Sequence, residues 1–151
     1  MSEGRERWYV ITGPPCCGKS TTVELLARRG FRVRTEIARD YVNEEISKGR
    51  TLQDIRSDIR KFQLEVLLRA RASEEALPKD ELIFLDRGTP DSLAYFRLHG
   101  IPIEPHMDHI RASKYARVFF LDAIGEYQTD YARIESPGER LLTFFGTLTA
   151  T

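Results

Sequence analysis

The chain has 151 residues, and 41% of them are hydrophobic, which is enough for one compact domain with a sizeable core. Its 23 basic and 23 acidic residues give a formal net charge of zero, so no overall positive field attracts nucleic acid or an anionic membrane. We therefore expect no nucleic-acid partner. Arginine supplies 18 of the basic residues, which favours recognition of phosphate or carboxylate, although compositional bias explains that number equally well.

The N-terminal residues and the cysteines predict a cytoplasmic protein. Residues 1–7 are polar and charged, and no apolar segment follows them. No apolar run approaches the ~18 residues that a membrane span needs, so none is expected. Cys16 and Cys17 are adjacent, and a disulfide between them would connect no distant parts of the chain, which argues against an oxidising compartment.

The first half of the chain predicts strands and helices in alternation. Strands are expected over Arg7–Thr12 and Phe31–Thr35, and a helix over Lys19–Arg29 between them. Another helix is predicted over Ile37–Lys48. A further helix is predicted from about Thr51 by an apolar stripe of residues three or four positions apart, namely Ile55, Ile59, Phe62 and Val66.

The second half continues the alternation. Glu81–Leu85 and Arg117–Leu121 are apolar runs typical of strands that are buried on both faces. Helices are predicted over Asp91–Leu98 and from about Pro105 to Tyr115. Because strands separated by helices form parallel βαβ units, the chain is predicted to be a single α/β domain over residues 1–151, with three α/β/α layers.

A phosphate-binding loop is predicted where the first strand ends. Residues 13–20 read GPPCCGKS, which matches the pattern G-x-x-x-x-G-K-S. Its nucleotide-binding residues would be Gly13, Pro14, Pro15, Cys16, Cys17, Gly18, Lys19, Ser20 and Thr21. Backbone amides would bind the α- and β-phosphates, Lys19 would contact the β- and γ-phosphates, and Ser20 would offer its hydroxyl to Mg²⁺. Thr21 or Thr22 would touch the α-phosphate or simply stabilise the start of the helix.

A second Mg²⁺ contact is expected from an acidic residue at the end of a neighbouring strand. Asp86 directly follows the apolar residues 82–85, and a carboxylate at that position suits a hydrated Mg²⁺ beside bound phosphates. Asp122 follows residues 118–121 in the same way. We prefer Asp86, because Arg87 places a guanidinium directly beside it.

Several segments together resemble the AAA-like ATPase family, kinase-type P-loop proteins whose members are similar to nicotinamide riboside kinases. The segments are the loop at 13–20, TEIARDY at 35–41, LDRG at 85–88 with Pro90 and Asp91, and VFFL at 118–121. The resemblance covers about residues 7–140. It implies a P-loop NTPase fold of kinase-type strand order, with the Asp86 strand beside the phosphate-loop strand, and ATP or GTP held with Mg²⁺.

The resemblance also implies an acceptor side of the cleft. Glu36 and Arg39 match the family's E-x-x-R segment, so Glu36 would bind an acceptor hydroxyl or a magnesium water, and Arg39 an anionic group of the acceptor. From the residues alone, an ion pair in the first turn of a helix explains both. Arg87 and Asp91 match the residues after the acidic strand end, and a surface salt bridge between them is the alternative.

The last part of the chain departs from the family. Residues 125–140 fall where such kinases have a mobile lid, from which Arg133 or Arg140 would close on the phosphates; a solvated charged helix is the alternative. Residues 141–151 carry no charge. They are expected to form either a short last strand or an atypical tail, in which case part of the C-terminal helix and strand of the family is missing.

These residues predict the transfer of the γ-phosphoryl group of ATP or GTP to a hydroxyl of a nucleoside-like or other small acceptor. Lys19, the loop amides, Mg²⁺ and a lid arginine would neutralise the phosphate charge, and Asp86 or Glu36 would orient the hydroxyl. The alternative is a nucleotide-dependent binding module or switch with slow ATPase or GTPase activity. Acceleration of nucleotide turnover by an acceptor would distinguish the two.

Overall fold

The computed structural model of the chain describes residues 7–15, 17–111 and 114–122. Several predicted features lie outside the described residues: Cys16, the lid at 125–140 with Arg133 and Arg140, and the uncharged stretch 141–151.

Four parallel strands form the described sheet. They are β1 (Trp8–Thr12), β2 (Arg32–Arg34), β3 (Ile83–Asp86) and β4 (Arg117–Phe120). Their order in the sheet is β2-β3-β1-β4, and every pairing is parallel. The strand that ends in Asp86 therefore lies directly beside the strand that precedes the phosphate loop, which confirms the arrangement that the resemblance implies.

The helices follow the predicted order along the chain. They are α1 (Lys19–Arg28), α2 (Ile37–Ser47), α3 (Leu52–Arg56), α4 (Ile59–Ala76), α5 (Ser92–Leu98) and α6 (Met107–Arg111). None of the described helices has both the length and the apolar character needed to cross a bilayer.

The single helix predicted from about Thr51 is wrong, because two helices occupy this part of the chain. Asp58 has an extended backbone, and its carboxylate accepts a hydrogen bond from the Lys61 amide at 3.1 Å, which starts α4. Thr51 and Asp54 form a capping box that starts α3 separately. The apolar stripe continues through both helices, and for this reason its periodicity did not reveal the break.

The helix predicted from Pro105 to Tyr115 is also shorter than expected. A 3₁₀ turn covers Glu104–His106, α6 ends at Arg111, and Tyr115 is not helical. The Tyr115 hydroxyl instead donates a hydrogen bond to a carboxylate oxygen of Glu74 at 2.9 Å. A contact to another helix thus determines the position of Tyr115.

Both faces of the sheet carry packed elements. Alternate residues of β1 and β3 form a buried cluster on one face, namely Trp8, Val10, Ile83 and Leu85, against which Leu77 at the end of α4 packs. Asp86 lies on the opposite face, where Ser20 of α1 contacts it. The structure therefore has the three predicted layers.

A second buried cluster joins three helices beside the sheet. It consists of Tyr41, Val42, Ile55 and Phe62, from α2, α3 and α4. The rings of Tyr41 and Phe62 are 5.6 Å apart between centroids. This cluster fixes the start of α4 against α2, and those two helices form one wall of the cavity described below.

The prediction that residues 117–121 are buried on both faces is wrong for β4. Val118, Phe119 and Phe120 are 54%, 45% and 36% exposed. Among the described residues, β4 pairs only with β1, so it lies at the edge of the described sheet. The Phe119 ring lies 6.2 Å from the Tyr9 ring between centroids.

Glu74 is a buried carboxylate that links α4 to two other parts of the fold. It is 1% exposed, and it accepts hydrogen bonds from the Thr89 amide at 2.9 Å and from the Tyr115 hydroxyl. Its charge also lies near the buried guanidinium of Arg34, whose protonated form it favours. Glu74 therefore connects α4 with Thr89, which follows β3, and with Tyr115, which precedes β4.

We expect Glu74→Leu to lower the free energy of unfolding by about 1 to 3 kcal/mol, since it leaves the Tyr115 hydroxyl without its acceptor. Glu75→Leu is the matched control, because the neighbouring Glu75 side chain is 60% exposed and pairs only with Arg71 among the ion pairs described. Urea unfolding of both variants gives the comparison. Equal midpoints would show that the Glu74 contacts do not stabilise the fold.

Candidate functional site

The loop between β1 and α1 has the backbone geometry that a phosphate-binding loop requires. Gly13 has φ of 144°, and a Cβ atom there would lie 2.2 Å from the carbonyl oxygen of Leu121. Gly18 has φ of 91° and directly precedes α1. Glycine is needed at both positions because a side chain would be strained or would clash. The loop consequently turns sharply into α1, where the first backbone amides have no side-chain cap.

Lys19 is folded over the loop in this structure. Its side chain is buried, and Nζ donates a hydrogen bond to the carbonyl oxygen of Pro14 at 2.8 Å. The Cys17 sulfur is 3.5 Å from the same Nζ and is buried as well. Burial, and then the nearby charge of Arg87, lower the pKa of Lys19 to about 8. Lys19 therefore loses its proton at a lower pH than an exposed lysine does, and an approaching anion would favour the protonated form again.

The two threonines after the loop differ in their surroundings. Thr21 is exposed in the first turn of α1. The Thr22 hydroxyl donates a hydrogen bond to the Gly18 carbonyl at 2.9 Å, which stabilises the start of the helix.

Ser20 and Asp86 form the candidate Mg²⁺ site. The Ser20 hydroxyl donates to Oδ2 of Asp86 at 3.3 Å, and Asp86 is 2% exposed. Burial, together with the neighbouring Glu36 carboxylate, raises the pKa of Asp86. Its Oδ1 atom is buried and has no hydrogen-bond partner among the described residues. An oxygen ligand without a partner, beside a hydroxyl, fits a hard cation such as Mg²⁺.

The described residues contain no group of three or more His, Cys, Asp or Glu side chains suited to holding a metal ion. Ser20 and Asp86 would therefore complete the coordination of Mg²⁺ only together with phosphate oxygens and water. Asp122, the other acidic residue considered, is exposed, and Asp86 is the carboxylate that contacts the loop.

The turn after β3 is held by side chains from three directions. Arg34 Nη2 donates hydrogen bonds to the backbone carbonyls of Asp86, at 3.3 Å, and of Arg87. Asp91 accepts from the Gly88 amide at 2.8 Å and from the Thr12 hydroxyl at the end of β1. Arg87 has φ of 65°, which is uncommon for a residue with a side chain. These contacts keep the turn in that conformation.

Arg87 connects the turn to the start of α2. Its Nη1 atom is 3.4 Å from Oδ1 of Asp91, and its Nε atom is 3.8 Å from Oε1 of Glu36. Arg87 and Asp91 are largely buried, so the surface salt bridge considered as an alternative is not what the structure has. Although burial opposes it, the charges of Tyr95, Asp91 and Glu36 raise the pKa of Arg87. Glu36 itself is the residue that precedes α2.

A cavity that is open to solvent lies beside the loop. The predicted site residues that line it are Pro15, Lys19, Glu36, Arg39, Asp86, Arg87 and Asp91. The structure therefore brings the phosphate-loop lysine, the candidate Mg²⁺ carboxylate and the E-x-x-R segment to one cavity. Phosphate-binding and acceptor-binding groups could meet there.

Sequence reasoning missed two basic residues of this cavity, Arg34 and Arg56. Arg32 and Arg34 are two positions apart in a short strand and therefore share a face, yet Arg32 is exposed and Arg34 is buried. The position of Arg34 at the carboxyl end of a parallel strand was the available signal, since ligands bind at that edge of such sheets. Arg56 is the last residue of α3, whose separate existence was not predicted.

Comparison with known proteins agrees with the geometry of the loop. A family described as an AAA domain matches residues 8–146, which include the loop, the Asp86 strand and every cavity residue discussed above. None of the curated protein sequences matches the chain. The match supports the AAA-like resemblance, whereas the similarity to nicotinamide riboside kinases stays a prediction. The chain belongs to the AAA domain family and is a P-loop protein of the nucleotide-binding type.

Proposed function

We propose that the protein is a Mg²⁺-dependent kinase that transfers the γ-phosphoryl group of ATP or GTP to a hydroxyl of a nucleoside-like or other small acceptor. The observation that carries the proposal is the cavity beside the loop, because Lys19 and Asp86 share it with Glu36 and Arg39. Simple hydrolysis needs room for one water molecule. The cavity continues from the loop past Glu36 and Arg39 to Val66 and Tyr95, which gives a small organic acceptor a surface to bind.

The nucleotide side of the proposed site is the loop with Ser20 and Asp86. The amides at the start of α1 would bind the phosphates, and Lys19 would move from the Pro14 carbonyl to the β- and γ-phosphates. Ser20 and Asp86 would hold Mg²⁺, which when bound neutralises charge on the phosphate oxygens.

The acceptor side is the opposite part of the cavity, where we assign Glu36 to the acceptor hydroxyl and Arg39 to an anionic group. Glu36 is better suited to the hydroxyl than Asp86, because Asp86 already contacts Ser20. The hydroxyl proton would pass to Glu36 as the acceptor oxygen bonds to the γ-phosphorus and the bond to the β-phosphate oxygen breaks. Arg87, 3.8 Å from Glu36, would keep that carboxylate in position.

Nucleotide affinity is expected to fall as the pH rises through about 8, because that is the pKa of Lys19 in the free protein. Below this pH Lys19 is charged, and above it binding must recover a proton, so affinity should drop about tenfold from pH 7 to pH 9. Calorimetric titration with Mg·ATP measures the change. In Lys19→Arg the side chain stays charged, and the slope should disappear. A flat profile in the unmodified protein, or the same slope in Lys19→Arg, would contradict this role of Lys19.

Transfer of label from γ-labelled ATP or GTP to an acceptor tests the kinase activity directly. A panel of nucleosides, nicotinamide riboside and small phosphorylated alcohols should contain a compound that gains label and accelerates nucleotide turnover. Arg39→Ala should raise the acceptor KM and leave nucleotide affinity nearly unchanged. If nucleotide binds but no acceptor gains label or accelerates hydrolysis, a nucleotide-dependent switch becomes the better proposal.

Asp86→Asn should lower turnover by about a hundredfold to a thousandfold and weaken nucleotide binding far less. The reason is that a preorganised charge acts mainly on the transition state, where phosphate charge is redistributed. Asp80→Asn, at an exposed position before β3, is the control and should be unchanged. Steady-state rates and nucleotide affinity must be measured on the same preparations. Equal losses in turnover and in nucleotide affinity would contradict the prediction that Asp86 acts mainly on the transition state.

A further inference from the structure

Arg34 is a buried side chain that lines the cavity, and only some of its hydrogen-bond donors have partners within the fold. Its Nη2 atom holds the carbonyls of Asp86 and Arg87. Its Nε and Nη1 atoms are buried and have no hydrogen-bond partner among the described residues. Leaving the donors of a buried guanidinium without acceptors is costly, and an anion bound in the cavity that Arg34 lines would compensate its positive charge.

The charges around the cavity are also unequal. Five basic side chains line it, from Lys19, Arg34, Arg39, Arg56 and Arg87, against the three carboxylates of Glu36, Asp86 and Asp91. Asp91 already accepts hydrogen bonds from the Gly88 amide and the Thr12 hydroxyl. The lining of the cavity is therefore cationic even when Lys19 and Asp86 are left out of the count, which favours an anion in addition to the nucleotide.

An apolar wall faces these guanidinium groups. It is made of Phe62, Val66 and Ala70 from α4, and of Tyr95 from α5. The guanidinium carbon of Arg56 lies 4.5 Å from the centroid of the Phe62 ring, and that of Arg87 lies 5.3 Å from the Tyr95 ring. Aromatic contacts of this kind orient the two guanidinium groups along the wall. Val66 and Tyr95 are the partly exposed members of this wall, and they offer an apolar surface to the uncharged part of a ligand.

We propose that the acceptor carries an anionic group, a phosphate monoester or a carboxylate, which Arg34 binds together with Arg39 and Arg56. The body of the acceptor is ring-sized and packs on Val66 and Tyr95. This inference rests on the proposed kinase function, because it names the chemical class of the acceptor. It adds Arg34 and Arg56 to Arg39 as the residues that bind the anionic group, and it names the chemistry of that group.

Binding of matched hydroxyl compounds to protein saturated with Mg²⁺ and a non-hydrolysable ATP analogue tests the inference. One series is 4-(hydroxymethyl)benzamide, 4-(hydroxymethyl)benzoate and 4-(hydroxymethyl)phenyl phosphate, and a second pair is uridine and uridine 5′-monophosphate. Calorimetry should show about tenfold or tighter binding of an anionic member over its neutral partner, which corresponds to about 1.4 kcal/mol. The carboxylate and the phosphate members show which of the two anions the site prefers.

Variants identify the residues that bind the anion. Arg39→Gln and Arg56→Gln should each reduce the preference for the anionic member several-fold, and Arg34→Lys should do the same while keeping a positive charge. Arg60→Gln, at an exposed position early in α4, is the matched control and should keep the preference. Arg34→Lys could fail to fold, because Arg34 also holds the turn after β3. In that case the preference for the anionic member in Arg39→Gln and Arg56→Gln still tests the inference.

Three results would overturn the inference: equal binding of neutral and anionic members, a preference that survives all the arginine substitutions, or anion binding that vanishes when nucleotide saturates the loop. Label transfer separates this inference from the proposed function. Transfer to neutral members without preference would support the kinase and contradict the anion site. Anion binding that depends on the arginines, without transfer to any acceptor, would support the anion site and contradict the kinase.

Discussion

A buried guanidinium fixes the turn on which the candidate site depends. Arg34 donates to the carbonyls of Asp86 and Arg87, the residues at which β3 ends and the chain turns back. Arg87 has a positive φ, a conformation that costs free energy in any residue with a Cβ atom. The position of the Asp86 carboxylate beside Ser20, and that of the Arg87 side chain beside Glu36, both follow from this turn. One side chain of the short strand β2 thus aligns the Ser20–Asp86 contact with the Arg87–Glu36 contact.

The same region concentrates charge that the protein interior does not favour. Lys19, Arg34, Asp86 and Asp91 are all nearly inaccessible to solvent, and taking such groups out of water is expensive even when they lie near one another. The apolar clusters on the sheet and between α2, α3 and α4 supply the burial that offsets this cost. The buried carboxylate of Glu74 offsets part of the Arg34 charge from the opposite side. Bound phosphates and Mg²⁺ would offset more.

Much of the fold was predictable, because its strands have short apolar runs and its helices have clear ends. The phosphate loop was predictable from local sequence alone, since glycine, lysine and serine have position-specific tasks there. The separation of α3 from α4 was not, because the apolar stripe of Ile55, Ile59 and Phe62 crosses the break at Asp58. Arg34 could not be recognised as buried, because its partners are backbone carbonyls 52 and 53 residues further along the chain. The exposure of β4 depends on which strands lie beside it, and the neighbours of a strand cannot be read from its own sequence.

The hydrogen bond from Lys19 to the Pro14 carbonyl makes nucleotide binding an exchange of partners. A ligand gains the ammonium group only if its own oxygen atoms outcompete a neutral carbonyl that is already in place. A dianionic terminal phosphate does so easily, whereas a neutral oxygen or a single distant charge gains little. The Pro14 carbonyl is therefore a weak competitor for the Lys19 ammonium group, and a ligand displaces it only by placing negative charge beside that group.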